Sequence, residues 1–244
     1  MIIYYAEFLG TFMFMFIGLA ITTMAYYHFS DNDGQALILT SLGWSLAYFL
    51  PCIAFGEASG PHLNPALTIA LVIYGSFDSL FMWGYMIMQA VGALFGTVFF
   101  YIIFYDKLVN IDDLEHKAKC FCVVPNHKNI VVNVICEFMA SFMFVFGILS
   151  IAQVFGIRTE IIYIYVLIIM ITIGVIFDYT SVALNPFRDL LPRLLYMILP
   201  MGQKQKIKLS FVFYVIVTMI IPILGATAGA LLYKFLPWDS KIAH

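Results

Sequence analysis

Charge is what this sequence has least of. Of its 244 residues only 11% are Asp, Glu, Lys or Arg, while 63% are apolar; soluble domains carry about a quarter charged residues. A chain of this length folded in water could not hide so much apolar surface, so lipid is the solvent for most of it. The formal net charge is −2, which leaves no basic field to draw in nucleic acid. Cysteine is scarce as well: Cys52, Cys120, Cys122 and Cys136. Cys52 and Cys136 lie in apolar runs and read as core packing, whereas Cys120 and Cys122 fall in a polar loop. His116 and His127 flank that pair, but no second Cys or His pair stands at zinc-like spacing, so no metal site is expected. No nucleophile beside a base stands out, so neither catalysis nor a cofactor is implied. No basic stretch precedes the first apolar run, which extends from Ile2 to about Tyr27. That is too long for the apolar part of a leader, and it is expected to be the first span.

What the chain has is long apolar runs. Six are long enough to cross a bilayer, at about 2–27, 36–56, 79–105, 130–155, 160–177 and 209–236. The breaks between them are hydrophilic: His28 to Gln35, Asp106 to Asn129, a short turn at Arg158–Glu160, and Gly202 to Lys208. Two further apolar pieces, about Asn64 to Tyr74 and about Asn185 to Leu199, are too short to span and read as re-entrant or interfacial helices. Each opens with Asn-Pro, asparagine being favoured at the N-cap and proline at the first helical position.

The chain also repeats itself. The run Ala6-Glu7-Phe8-Leu9-Gly10-Thr11-Phe12 is similar to Cys136-Glu137-Phe138-Met139-Ala140-Ser141-Phe142. Each half then has a second span and an Asn-Pro short helix. Three spans per half is an odd number, so the halves insert with opposite topology, an architecture of transporters whose broken helices meet near mid-membrane. The expected fold is an all-α membrane protein with six transmembrane helices and two re-entrant half-helices. It is one domain over 1–244: repeat 1 at about 1–105, a loop at about 106–129, and repeat 2 at about 130–244.

Two half-helices entering from opposite faces bring their N-termini together. Each presents unpaired N–H groups and about half a positive charge, which repels cations and protons. Asn64 and Asn185, as caps, are expected to leave amide donors facing a pore. The irregular backbone before each half-helix, Gly60-Pro61-His62-Leu63 and Ser181-Val182-Ala183-Leu184, is tolerated at membrane depth where it lines a cavity or is buried. Its carbonyls are expected to form a ladder of acceptors.

Ser59-Gly60-Pro61-His62-Leu63-Asn64-Pro65-Ala66 resembles the first signature of the aquaporin family, and Asn185-Pro186-Phe187-Arg188-Asp189 resembles the second, with Phe187 where the family usually has Ala. Glu7 and Glu137 match its buried glutamates, Gln89 a residue of its third span, and the resemblance covers nearly the whole chain. It implies a selectivity filter at Arg188, Trp44, Gly174 and Val182. Arg188 lies one turn into its half-helix, where a charge usually lines a water-filled cavity; the alternative is a snorkelling side chain. Trp44 lies 20 residues before Asn64, as in glycerol-conducting members; the alternative is a lipid-belt tryptophan. Gly174 precedes Asn185 by 11 residues, one fewer than in the glycerol-conducting branch, and Val182 replaces an aromatic or Cys. One aromatic wall, two small or apolar walls and one donor suit a polyol. A water-selective filter would place a His in the fifth span, and none of the five His lies there. Asp189 also matches the glycerol branch, and is equally compatible with pairing Arg193 four residues on. Glu57 reads as a solvated carboxylate near the mouth.

The resemblance therefore implies a passive channel for glycerol and related small neutral solutes together with water. It also implies a multi-pass homotetramer in the lipid bilayer, most simply the plasma membrane. The alternatives are a water-selective or other small-solute channel, or a closed structural or junctional protein of the same fold, which Phe187 would favour. Family topology puts both termini in the cytoplasm. That leaves Lys107, Lys117, Lys119, Lys128, Lys204, Lys206 and Lys208 outside and only Arg158, Lys234 and Lys241 inside, against the positive-inside rule.

Overall fold

Backbone hydrogen bonding sets the architecture. In hydrocarbon an unpaired N–H or C=O is too costly to leave, so apolar runs close their bonds internally as helices. The computed structural model describes residues 1–155, 159–177, 181–204 and 209–236. Nine helices fall among the described residues: α1 (Ile2–His28), α2 (Asp33–Ser59), α3 (Pro65–Tyr74), α4 (Ser79–Val109), α5 (Leu114–Lys119), α6 (Ile130–Phe155), α7 (Thr159–Ile176), α8 (Pro186–Ile198) and α9 (Leu209–Phe235). Five of them, α1, α2, α4, α6 and α9, are long and apolar enough to cross a membrane. Helix α7 has 18 residues, about 27 Å of helix, which is the thickness of a thin hydrocarbon core. It completes the six spans.

The boundaries follow local chemistry. Asn32 caps α2 by accepting from Gln35 N at 3.1 Å, and Asp78 caps α4 by accepting from Leu80 N at 2.9 Å. The spans lie where the apolar runs place them, with two helices extended: α2 begins at Asp33 and ends at Ser59, three residues beyond its run at each end, and α4 is longer at its end. Helix α4 continues past 105 to Val109, because Lys107 Nζ lies over the Tyr27 ring at 4.1 Å and keeps the polar turn anchored. Arg158, in the expected turn, lies outside the described residues, as do residues 205–208 of the last loop; Thr159 and Glu160 begin α7.

The two repeats are built alike. Helix α1 packs on α2 and α4, and α6 packs on α7 and α9; α2 and α7 join the halves. The short helices cross over, α3 against α9 and α8 against α4. Close approach is bought by paired glycines four residues apart. A Cβ on Gly92 would sit 2.4 Å from Phe8 O and one on Gly96 2.6 Å from Phe12 O. The equivalent pair in α9 meets α6 in the same way: Gly225 at 2.3 Å from Phe138 O, Gly229 at 2.7 Å from Phe142 O. Small residues at such spacing let membrane helices touch backbone to backbone.

The loop between the repeats departs from expectation. Cys120, Phe121, Cys122 and Val123 are buried rather than lying in a polar loop. Asp113 caps the short helix α5, accepting from Glu115 N and His116 N. The chain then turns inward, so that Phe121 packs on Phe100 and Tyr196. Burial pushes both thiols up to about 12, which keeps them protonated at neutral pH. Several lysines of this face are also engaged. Lys117 Nζ donates to Val109 O and Gln203 O, Lys119 pairs with Glu115 at 3.0 Å, and Lys204 Nζ reaches three carbonyls at the end of α8.

The glycine contacts are testable. Gly92→Val and Gly225→Val should each destabilise the fold by about 1–3 kcal/mol through overpacking. Gly34→Ala, whose nearest contact would be an ordinary 3.6 Å, should not. Thermal unfolding in detergent measures all three, and an unshifted Gly92→Val would contradict the packing described.

Candidate functional site

The two Asn-Pro motifs meet, and they hold each other. Asn64 Oδ1 accepts from Ala66 N at 2.9 Å, capping α3, while its Nδ2 donates to Leu184 O at 3.0 Å. Asn185 Oδ1 accepts from Phe187 N at 3.0 Å, capping α8, while its Nδ2 donates to Leu63 O at 2.7 Å. Each cap therefore bonds the carbonyl just before the other cap. Both asparagines are 2% exposed. Of the amide donors expected to face a pore, one N–H of each amide is committed to the opposite strand of backbone, leaving a single N–H on each. Part of the expected acceptor ladder is engaged likewise, each carbonyl keeping a second lone pair. Leu63 O and Leu184 O accept from the asparagines, and His62 O accepts from Tyr48 Oη.

A buried glutamate holds each approach segment. Glu7 accepts from His62 N at 2.8 Å and Leu63 N at 3.0 Å, and also from Ser59 Oγ and Gln89 Nε2. Glu137 accepts from Ala183 N at 2.8 Å and Leu184 N at 2.7 Å. Drawing these N–H groups toward the carboxylates turns the backbone twice in each half. Gly60 (φ 57) and Ser181 (φ 54) stand four residues before each asparagine, and Leu63 (φ 52) and Leu184 (φ 60) stand one before. Left-handed backbone at Leu and Ser is strained, and it persists only where surrounding bonds impose it. Here the carboxylate on one side and the crossed asparagine on the other do so.

Beside this junction is a cavity of about 120 Å³. Trp44, Gly174, Val182 and Arg188 all line it. The Arg188 guanidinium lies over the Trp44 ring at 4.4 Å, a cation–π arrangement, and Arg188 Nη1 is buried without a hydrogen-bond partner. Trp44 can lie flat there because α1 has Gly18 beneath it, where a Cβ would come within 2.3 Å of Cζ3. Phe14 meets Trp44 edge-on at 5.2 Å. The wall also takes in Ser181, Ala183 and Leu184, but Gly60, Pro61, His62 and Leu63 are not part of it. An unpaired donor against aromatic and aliphatic faces can receive an oxygen while leaving carbons in an apolar setting.

Two residues of the second motif take other places. Asp189 is fully buried and paired with Arg193, whose Nε and Nη2 reach its two oxygens at 2.9 and 2.8 Å. Asp189 also accepts from Val123 N and Thr218 Oγ1 at 2.7 Å each, and Arg193 Nη2 donates to Val123 O. The expected pairing of Asp189 with Arg193 is formed, which does not exclude its match to the glycerol branch, and it pins the inter-repeat loop to α8 and α9. Phe187 is half-buried against the core and does not line the cavity; its N–H still donates to the Asn185 cap oxygen. Glu57 lies exposed in the last turns of α2.

The sequence reading missed Ile173, Cys122 and Val124, which also line the cavity. Ile173 adjoins Gly174, so the shortened spacing there was a signal. Nothing local marks the loop residues, which the bonds of Val123 to Asp189 and Arg193 help hold at the cavity.

Comparison with known proteins bears on the whole chain. Residues 3–233 match the model of the major intrinsic protein family. A protein of Thermotoga maritima described as a probable glycerol uptake facilitator is 30% identical over 97% of this chain and 100% of its own length. The glycerol uptake facilitator protein of Bacillus subtilis is 31% identical over 95% of this chain and 83% of its own. Among solved structures, the aquaglyceroporin from Plasmodium falciparum superposes with a TM-score of 0.82 at 26% identity, over 96% of this chain and 95% of that one.

The glutamate supports yield a prediction. Glu7→Gln or Glu137→Gln turns an acceptor toward backbone N–H groups into a donor. Each should lower stability by about 1–3 kcal/mol, the cost of leaving a buried polar group unsatisfied. Glu57→Gln should have no effect. Unfolding midpoints in detergent decide, and an unchanged Glu137→Gln would show that the segment holds its shape without the carboxylate.

Proposed function

The chain belongs to the major intrinsic protein family, and we propose from that premise that it is a passive, bidirectional channel for glycerol and related small neutral solutes, with water. The observation that carries the solute class is the Arg188–Trp44 pair. A glycerol molecule has hydroxyls along one edge and carbons along the other. Arg188 Nη1, buried and unpaired, offers a hydroxyl the donor it loses on leaving water, and Trp44 and Val182 give the carbons an apolar wall. The names of the relatives from Thermotoga maritima and Bacillus subtilis point the same way.

Several finer points belong to the same reading. Gly174 and Val182 keep the filter wide enough for carbon, and Asn64 and Asn185 present their remaining N–H groups to solute in transit. The paired positive helix ends and Arg188 oppose cations and protons. Each subunit carries its own pore within a homotetramer, and the many exposed aliphatic side chains of α2, α4 and α6 fit lipid or a neighbouring copy. The plasma membrane is the proposed site, with both termini cytoplasmic. The lysines on the opposite face weigh less against that orientation than their number suggests. Lys107, Lys117, Lys119 and Lys204 are committed to a ring, a carboxylate or carbonyls, while Lys206 and Lys208 lie outside the described residues.

Purified protein in vesicles, challenged with glycerol or sorbitol gradients in stopped-flow scattering, tests the proposal. Glycerol should equilibrate far faster than in empty vesicles and sorbitol should lag. Trp44→Ala should weaken the discrimination between them. Water flux without glycerol flux would sink the solute assignment. A silent wild-type channel opened by Phe187→Ala would support the closed-protein alternative instead.

A further inference from the structure

Among the described residues, one hydroxyl in the cavity wall has no hydrogen-bond partner. Helical Ser and Thr commonly bond back to a carbonyl three or four residues earlier, and the neighbours of this hydroxyl do so. Thr22 Oγ1 donates to Gly18 O, Thr40 Oγ1 to Leu37 O, and Ser45 Oγ to Ser41 O, at 2.8, 3.0 and 2.6 Å. Ser41 differs. It is 6% exposed and lines the cavity, and among the described residues no hydrogen bond engages its Oγ. It stands one helical turn before Trp44, on the same face of α2.

The helix opposite is shaped around it. A Cβ built on Gly174 would lie 2.7 Å from Ser41 Oγ and 2.9 Å from Ser41 Cβ. Any larger residue at 174 would cover the hydroxyl. Gly174 therefore does more than widen the cavity: it leaves a polar group uncovered at that wall. With Arg188 Nη1, also buried and unpaired, the cavity holds two unsatisfied polar groups near one aromatic ring.

We propose that Ser41 is a specificity-determining residue of this cavity, whose hydroxyl exchanges a hydrogen bond with a polyol hydroxyl while Arg188 engages another. The inference rests on the reading of the cavity as a glycerol path. Arg188 can only donate, so it satisfies an oxygen's lone pair and leaves that hydroxyl's proton without an acceptor. Ser41 can both accept and donate. Two polar points with an apolar ring between them select for hydroxyls on neighbouring carbons. Water is less dependent on Ser41. A cavity of about 120 Å³ holds several waters, which bond to one another; the carbons of a polyol cannot do this.

Vesicle stopped-flow on the wild type, Ser41→Ala and Ser41→Thr tests it, with the ratio of glycerol to water permeability as the readout. Loss of one neutral hydrogen bond corresponds to about threefold to tenfold, so Ser41→Ala should lower the ratio by about that factor. Ser41→Thr, which keeps the hydroxyl, should retain most of it. An unchanged ratio in Ser41→Ala, with glycerol passing in the wild type, overturns the role of Ser41 and leaves the channel reading standing. Equal loss in both variants points to packing and overturns it too. No glycerol flux in the wild type overturns the channel reading and this inference together.

Discussion

The crossed asparagine caps are the constraint on which the rest depends. A cap that bonds its own helix would fix only a helix start. Asn64 and Asn185 each also bond the carbonyl before the other, so neither half-helix can move without the other. The two fully buried glutamates supply the opposing pull on the same short segments. Between them, Leu63 and Leu184 are held in left-handed backbone that leucine does not choose. The paired glycines at Phe8, Phe12, Phe138 and Phe142 bring α4 and α9 close enough to cover these bonds. A backbone amide covered by protein at that depth has no water to turn to if its partner is lost, so the set stands or fails together.

The same arrangement sets the electrostatics. Two helix N-termini face one place, and their capping bonds satisfy only part of their N–H groups. A cation there meets two positive helix ends. A neutral hydroxyl meets donors. The cavity beside the junction continues this bias with Arg188 over Trp44. What differs from wall to wall is the amount of polar surface left uncovered, and that is set by small residues: Gly18 under Trp44, Gly174 against Ser41.

Much of this was legible before any coordinates. The spans were visible as apolar runs because a membrane helix must satisfy its own backbone. The half-helices were visible because Asn-Pro marks a helix start. The repeat was visible because Glu7 and Glu137 lie in matching contexts. Pairwise chemistry across the chain was not legible. Nothing near Asn64 says that its amide will reach Leu184, 120 residues away. Cys120 and Cys122 looked solvated because their neighbours are polar; the Asp189–Arg193 bonds that draw Val123 inward come from another helix. Phe187 looked like an obstruction because the motif places it at the junction, yet its ring turns into the core. Ser41 carried no motif at all; the absence of a partner among the described residues and the gap at Gly174 single it out.

The central claim is that the crossed caps pass neutral solutes while excluding protons. Its most direct test is a single vesicle preparation carrying an internal pH-sensitive dye, given a glycerol gradient and a pH gradient at once. The account predicts that glycerol equilibrates quickly while the pH difference decays no faster than in protein-free vesicles. A pH difference that collapses along with glycerol entry would contradict it.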